Sequence, residues 1–224
     1  ISASANIATT SCQAAATGSI DLTAVGGTLP FTYFWSGPGA FSSANEDLSA
    51  LFAGVYNVTI TDANGCTHTE SFDVNEPDLF NITATISSYA GGYNVSCAVS
   101  SDGSIDATVT GGTGPYFYFW SGPNSFTAIT EDLAGLNDGV YNLTLTDQNG
   151  CSALATYSLV APTPINIGLV AGLYNGGVNT TCASTPDGTI DATIAGGEQP
   201  YTIMWSGPNG FTSASEDITG AAAG

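Results

Sequence analysis

Apolar and polar residues alternate in several short segments of the chain. In residues 80–86, 105–110 and 141–146, every second residue is apolar and the residues between them are polar. This two-residue period is typical of β-strands that bury one face. Residues 116–120 read Tyr-Phe-Tyr-Phe-Trp and are apolar on both faces. Because glycine and proline turns separate these segments and no segment has a helical period, the pattern predicts an all-β fold.

The pattern recurs along the chain with a period of 85 residues. The sequence Trp-Ser-Gly-Pro begins at Trp35, Trp120 and Trp205. Six or seven short strands in each period predict tandem immunoglobulin-like β-sandwich repeats. A repeat of this length is large enough to bury a small core of its own.

Short proline-containing joints divide the chain into three predicted repeats, residues 1–77, 78–162 and 163–224. The period aligns Ile1 with Ile86, so we expect the first repeat to have a truncated first strand. It aligns Gly224 with Gly139, so we expect the third repeat to lack its last strands. Only the second repeat is expected to be complete, as in a segment of a longer polypeptide.

The charge of the chain excludes several classes of function. There is no Lys or Arg, and 19 acidic residues give a net charge of −19. A basic groove for phosphate groups is therefore absent, and we expect no nucleic-acid partner. No apolar run is long enough to span a bilayer, so we expect no membrane insertion in this segment. The single histidine, His68, is replaced by Ala153 in the next repeat, so we expect no catalytic triad, no enzyme and no cofactor.

The five cysteines occupy two positions of the repeat. We call Cys12, Cys97 and Cys182 the early cysteines, and Cys66 and Cys151 the late cysteines. Their recurrence predicts disulfides and an oxidising, extracellular location. One possible pairing lies within repeats: Cys12–Cys66 and Cys97–Cys151. The other joins neighbouring repeats: Cys66–Cys97 and Cys151–Cys182. We favour the first because each repeat can then fold alone; zinc binding is less favoured because no Cys-x-x-Cys is present.

Five segments of the second repeat together carry a resemblance to a known family. They are Gly111–Tyr116, Trp120–Phe126, Glu131–Leu133, Gly139–Cys151 and the closing Pro162. In this combination the chain resembles the SprB-type repeat of very large surface proteins in gliding and other Bacteroidetes-type bacteria. The resemblance implies a secreted or cell-surface polymer and supplies no catalytic residues.

Tryptophans and acidic residues have two interpretations each. The tryptophans that recur in each repeat either pack in the core or form a platform for sugars, and their strand positions favour the core. The recurring acidic residues either bind Ca²⁺ or form a solvated acidic face. Because they lack the spacing of a calcium loop, we favour the acidic face and expect no metal site.

Five asparagines lie in Asn-x-Ser/Thr sequences and are candidates for glycosylation: Asn57, Asn81, Asn94, Asn142 and Asn179. Three of them, Asn57, Asn81 and Asn142, fall on outward strand positions. A glycan coat at these positions would help to solubilise repeats that carry few charges.

One strand presents apolar side chains on its outer face as well as its inner face. In the second repeat these residues are Phe117 and Phe119, and their counterparts include Phe34 and Met204. An apolar outer face needs a cover. We therefore predict that Phe34, Phe117, Phe119 and Met204 form contacts between repeats or between chains in a fibre.

Together these features predict the structural repeat region of a secreted bacterial filament or adhesin stalk. Its expected partners are further repeats of the same polypeptide and copies of itself. The alternative is an adhesive array in which weak carbohydrate sites act by avidity. Buried tryptophans favour the first hypothesis, and an exposed aromatic row with polar neighbours favours the second.

Overall fold

The computed structural model describes residues 1–182 and 185–222. Within these residues the regular structure consists of β-strands and four short 3-10 turns, Pro38–Ala40, Ala90–Gly92, Pro123–Ser125 and Pro208–Gly210. The predicted all-β fold is therefore confirmed.

The first repeat contains two antiparallel sheets. Its strands are β1 (Ser2–Ala8), β2 (Gly18–Val25), β3 (Thr32–Gly37), β4 (Phe41–Ser43), β5 (Leu48–Leu51), β6 (Gly54–Thr61) and β7 (Thr67–Val74). The sheet orders are β1-β2-β5 and β4-β3-β6-β7. A three-stranded sheet facing a four-stranded sheet in this order is an immunoglobulin-like sandwich.

The core of the first repeat receives side chains from both sheets. Its buried residues are Ile20, Leu22, Trp35, Leu48, Leu51, Tyr56, Val58, Ile60 and Val74. Near the start of β6 the hydroxyl of Tyr56 donates a hydrogen bond to the carbonyl oxygen of Phe52, at 3.0 Å. A tyrosine that bonds the backbone four residues upstream is the tyrosine corner of immunoglobulin-like domains. The predicted sandwich class is thus confirmed by topology and by this contact.

The second repeat has the same two sheet orders. Its strands are β8 (Asn81–Ile86), β9 (Gly103–Thr110), β10 (Phe117–Ser121), β11 (Thr127–Ala128), β12 (Leu133–Leu136), β13 (Gly139–Thr146) and β14 (Ser152–Leu159). They form sheets of order β12-β9-β8 and β11-β10-β13-β14. The hydroxyl of Tyr141 bonds the carbonyl oxygen of Asn137 at 3.1 Å, which repeats the tyrosine corner.

The third repeat contains five strands within the described residues. They are β15 (Asn166–Ala171), β16 (Gly188–Ala195), β17 (Trp205–Ser206), β18 (Thr212–Ser213) and β19 (Ile218–Ala221). Strands β15, β16 and β19 form one sheet, and β17 pairs with β18.

The opening strand of the first repeat has a different register from that of the third. Ala3 pairs with Ala24, whereas Ile167 pairs with Ile194. Ala24 and Ile194 are two periods apart, but Ala3 and Ile167 are six residues short of two periods. Strand β1 is therefore shifted by six residues relative to β15. In this register all seven residues of β1 pair with β2. The truncation of the first repeat stays a prediction.

A glycine pair explains the shift. In the third repeat, Gly176 and Gly177 adopt positive φ angles of 94° and 77°, and the N–H of Tyr174 donates to the carbonyl oxygen of Val178 at 2.8 Å. This turn follows β15 and takes up the extra residues. Gly91 and Gly92 form the same turn after β8 of the second repeat, with φ angles of 74° and 80°. The first repeat has Asn6 and Ile7 at the glycine positions, so its chain stays extended in β1.

The described chain comprises two compact units. One contains Ile1–Ala84, Ala107–Glu131 and Asn142–Thr156. The other contains Thr85–Asp106, Asp132–Tyr141 and the described part of residues 157–224. The three-domain division at residues 1–77, 78–162 and 163–224 stays a prediction.

Candidate linkage and assembly sites

The recurring tryptophans pack in the interior. Trp35 and Trp120 have no exposed surface. The Nε1–H of Trp35 donates to the carbonyl oxygen of Asn45 at 2.9 Å, and that of Trp120 to Thr130 at 3.0 Å. The predicted core position of these two side chains is confirmed, so neither is available as a platform for sugars. Trp205 makes the same type of bond but is only half-buried.

The disulfide differs from both predicted pairings. Cys12 is bonded to Cys151, with a Cα–Cα distance of 5.7 Å and a sequence separation of 139 residues. Cys66, Cys97 and Cys182 are exposed free thiols. The favoured pairs within repeats are therefore corrected: the bond joins an early cysteine of the first repeat to a late cysteine of the second.

Local contacts explain why Cys12 meets Cys151. The loop that carries Cys12 and the turn that carries Cys151 lie in the same compact unit. Beside the disulfide, the Nδ2 of Asn149 donates to the carbonyl oxygen of Ser11 at 3.2 Å. These contacts bring the two cysteine Cα atoms within the range that a disulfide spans.

Each early cysteine has the same backbone turn around it. An N–H three residues later donates to the cysteine carbonyl oxygen at 3.0–3.2 Å, in the pairs Ala15–Cys12, Ser100–Cys97 and Thr185–Cys182. The late cysteines also match one another, because the N–H of Cys66 and of Cys151 each donates to the Oδ1 of an aspartate four residues earlier, at 2.9 Å. The backbone around both cysteine positions is therefore periodic, even where the thiols are unpaired.

An aspartate organises the turn before each late cysteine. In the first repeat, Asp62 Oδ1 accepts the N–H groups of Asn64 and Cys66 at 2.9 Å each, and Oδ2 accepts the N–H of Thr28 at 3.1 Å. These bonds, led by that of Thr28, hold the pKa of Asp62 below its ordinary value. Asp147 repeats the arrangement in the second repeat. In the sequence, this Asp-x-Asn-Gly-Cys segment is marked by its recurrence before each late cysteine.

The predicted assembly residues lie at the surface. The exposed fractions are 61% for Phe34, 61% for Phe117, 52% for Phe119 and 85% for Met204. Phe117 and Phe119 stand opposite Thr146 and Thr144 of β13. Their face of the sheet is thus apolar and hydroxyl-bearing. Whether it forms contacts in a fibre stays a prediction.

The same face extends onto β14. The Oγ1 of Thr156 donates to the Oδ1 of Asn142 at 2.9 Å on the outer side of the sheet. Leu154, two residues from Thr156 and therefore on that side, is 79% exposed. We call Phe117, Phe119 and Leu154 the outer apolar patch of the second repeat.

The glycosylation candidates fall into two groups. Asn57, Asn81 and Asn142 are exposed. Asn94 is half-buried, and its Nδ2 donates to the carbonyl oxygen of Ser87 at 2.9 Å. Asn179 makes the equivalent bond to Gly172 at 3.0 Å. Because a glycan replaces a hydrogen of Nδ2, the first group is better suited to modification than the second.

The recurring acidic residues have structural partners. Asp47 Oδ1 accepts the N–H of Leu22, and Asp217 Oδ1 accepts the N–H of Ala192, both at 2.9 Å. The hydroxyl of Tyr33 donates to Glu46 Oε1 at 2.7 Å; burial, together with this carboxylate, raises the pKa of Tyr33 to about 12.

Residues 1–182 and 185–222 contain no group of three or more His, Cys, Asp or Glu side chains placed to hold a metal ion. In the same residues, no helix has the length and apolar character needed to cross a bilayer.

Comparison with known proteins identifies one repeat family. Residues 4–40, 93–125 and 178–210 match the SprB repeat. No curated protein matches the chain. The solved structure of DIP-gamma IG1+IG2 is 13% identical, covering 71% of this chain and 97% of that chain, with a TM-score of 0.33. The structure of Dpr2 Ig1-Ig2 in complex with DIP-Theta Ig1-Ig3 is 11% identical, covering 94% of this chain and 86% of that chain, with a TM-score of 0.30.

Proposed function

Because three segments of this chain match the SprB repeat, we propose that it is a structural repeat region of a secreted bacterial filament or adhesin stalk. A cell-surface or extracellular location accords with that family and with the disulfide. The proposed role is mechanical and not enzymatic: the repeats hold a distant part of the same polypeptide, or the fibre itself, away from the cell.

The disulfide between repeats is the observation that carries the proposal. A bond between Cys12 and Cys151 joins the first repeat to the second and encloses 139 residues of chain. In the chain-entropy model, closing a loop of this length lowers the entropy of the unfolded state enough to stabilise the fold by about 5 kcal/mol. Under tension the bond also prevents the enclosed residues from extending.

Single-molecule pulling from the two termini tests the mechanical role. In the oxidised chain, complete unfolding should release only the residues outside the 139-residue loop. Reduction should add about 490 Å of extended chain, from about 3.5 Å per residue. Cys12→Ser with Cys151→Ser should extend fully with or without reductant. Full extension of the oxidised wild-type chain would contradict the proposal.

The alternative function is weak carbohydrate binding repeated along the array. The observation in its favour is the outer apolar patch, where exposed Phe117 and Phe119 lie opposite threonine hydroxyls. Aromatic faces beside hydroxyl groups are suited to sugar rings. If the patch serves this function, Phe117→Ser with Phe119→Ser should abolish retention on glycan surfaces and leave self-association unchanged.

A further inference from the structure

An open apolar groove crosses the third repeat. Its volume is about 440 Å³, and its walls include Ile167, Leu169, Ile194, Ile203 and Trp205. The exposed fractions of Ile167 and Leu169 are 58% and 56%. These side chains project from the sheet as core residues do, but they face open space.

The first repeat shows what covers the matching positions. There β3 pairs with β6, with Trp35 opposite Val58, and β6 pairs with β7. Tyr56, Val58 and Ile60 of that hairpin are buried with Trp35 in the core. In the third repeat, β17 pairs with β18 alone among the described residues. The groove therefore has the position and chemistry of a site for a β-hairpin.

The second repeat shows the same hairpin with a slightly different sequence. Strands β13 and β14 occupy Gly139–Leu159, and the inward residues Tyr141, Leu143, Leu145 and Leu159 are at most 2% exposed. The turn between these strands carries the late cysteine, Cys151. A hairpin in the groove of the third repeat would thus bring its own late cysteine.

The contacts of the early cysteines predict where that cysteine would lie. Cys12 of the first repeat bonds the late cysteine in the hairpin turn of the second repeat. Cys97 holds the same position in the second repeat, has the same backbone turn and is an exposed thiol. By the same relation, its partner belongs in the hairpin turn of the third repeat.

Backbone contacts at the joints before the second and third repeats support applying the Cys12–Cys151 relation to the next pair of repeats. The N–H of Gly112 donates to the carbonyl oxygen of Asp78 at 2.8 Å. At the next joint, the N–H of Gly197 donates to the carbonyl oxygen of Thr163 at 2.7 Å. The contact that fixes each joint on the following repeat is therefore the same.

We propose that the groove of the third repeat binds a β-hairpin of the SprB-repeat type, with the pattern of Gly139–Leu159, and that the hairpin's late cysteine forms a disulfide with Cys97. The occupant is a segment of repeat polypeptide. The main chain would extend the edge of β17, and the inward aromatic and aliphatic side chains would fill the groove. Linkage from early to late cysteine would then continue beyond the first pair of repeats. This inference concerns how repeats are joined, and it holds whether the array is a stalk or a glycan-binding surface.

A synthetic peptide of residues 138–160 tests the proposal on the intact, oxidised chain. Its cysteine is supplied as a mixed disulfide with glutathione. The Cys97 thiolate attacks the peptide sulfur, the peptide–glutathione bond breaks, and glutathione leaves as the thiolate, so no external oxidant is needed. We expect one peptide per chain, one equivalent of glutathione released, and the new bond at Cys97 by peptide mapping. Exchange of the backbone N–H groups of residues 203–206 should slow when the peptide binds.

The matched control is the same peptide with Leu143→Asp and Leu145→Asp. It keeps the reactive cysteine but cannot fill an apolar groove. Because groove binding raises the effective concentration of the peptide sulfur, the wild-type peptide should label Cys97 at least about tenfold faster than the control. Equal rates for the two peptides, or faster labelling of Cys66 or Cys182, would overturn the proposal.

If the free peptide labels no cysteine, a second measurement uses an extended chain. This chain carries a copy of residues 140–160 directly after Gly224. The extension keeps the 85-residue register and supplies the hairpin within the same polypeptide. The proposal requires loss of the Cys97 thiol and slowed exchange at residues 203–206. A free Cys97 in the oxidised, extended chain would refute it.

Discussion

Carboxylates in this protein bind backbone N–H groups in place of basic side chains. The sequence has no Lys or Arg, so Asp47, Asp62 and Asp217 have no such cation to pair with. Each instead accepts hydrogen bonds from the backbone of a neighbouring strand or turn. Asp62 is buried, and a buried carboxylate is tolerated when such bonds compensate for its lost hydration. Asp47 and Asp217 are exposed and form their bonds at the surface.

Replacing Asp62 by asparagine should destabilise the first repeat in a pH-dependent way. The folded pKa of Asp62 lies below its ordinary value of 3.8. Its carboxylate therefore stabilises the fold fully above the unfolded pKa, and this contribution is lost as the pH falls through the folded pKa. Asp62→Asn should lower the free energy of unfolding at pH 7, and the difference from wild type should narrow below about pH 4. Denaturant unfolding at pH 7, 5 and 3 measures this difference.

Asp21→Asn is the control for that comparison. Asp21 is exposed on β2, so its substitution removes one carboxylate and keeps the hydrogen bonds of Asp62. A stability difference for Asp62→Asn that stays constant from pH 7 to pH 3 would contradict the assigned role.

Strand positions followed from the sequence, whereas strand register and cysteine pairing did not. Alternation over residues 105–110 and 141–146 predicted parts of β9 and β13, because one face of each strand is buried. The six-residue shift of β1 depends on the absence of a glycine pair, which hydrophobic alternation does not reveal. The Cys12–Cys151 bond depends on how a loop of one repeat lies on a turn of the next, and a periodic sequence leaves several such pairs equivalent.

Gly92 should be sensitive to substitution because of its backbone conformation. Its φ is +80°, and a Cβ added there would meet no atom within 4 Å. Gly92→Ala should therefore lower the free energy of unfolding by about 1–2 kcal/mol through backbone strain alone. Gly92→Asn, which tolerates the left-handed region better, should cost less. Denaturant unfolding of both variants compares them, and equal costs would argue against strain as the cause.

The whole molecule combines a strong negative charge with exposed apolar side chains. A net charge of −19 opposes association of copies, and Lys/Arg–carboxylate pairs between them are impossible. Contacts between chains must therefore use apolar surface, hydrogen bonds or thiols. The outer apolar patch of the second repeat is a surface of the first kind.

Phe117→Ser with Phe119→Ser should weaken self-association without unfolding the repeat. Both rings are more than half exposed, so their loss removes little core packing. Light scattering should show smaller assemblies, and raising salt from about 0.1 M to 1 M should not dissolve wild-type assemblies, because added ions screen the repulsion between acidic chains. Leu29→Ser, at another site that is 73% exposed, is the control. A wild-type chain that stays monomeric at every concentration would contradict the fibre contact.

The long span of the disulfide also constrains how the protein matures. Cys12 and Cys151 are 139 residues apart, so the bond cannot form until the chain has been synthesised through Cys151. Cys66 lies closer to Cys12 along the chain and is available earlier. The Cys12–Cys151 bond therefore depends on contacts between two successive repeats, and any earlier bond between Cys12 and Cys66 has to be exchanged before it can form.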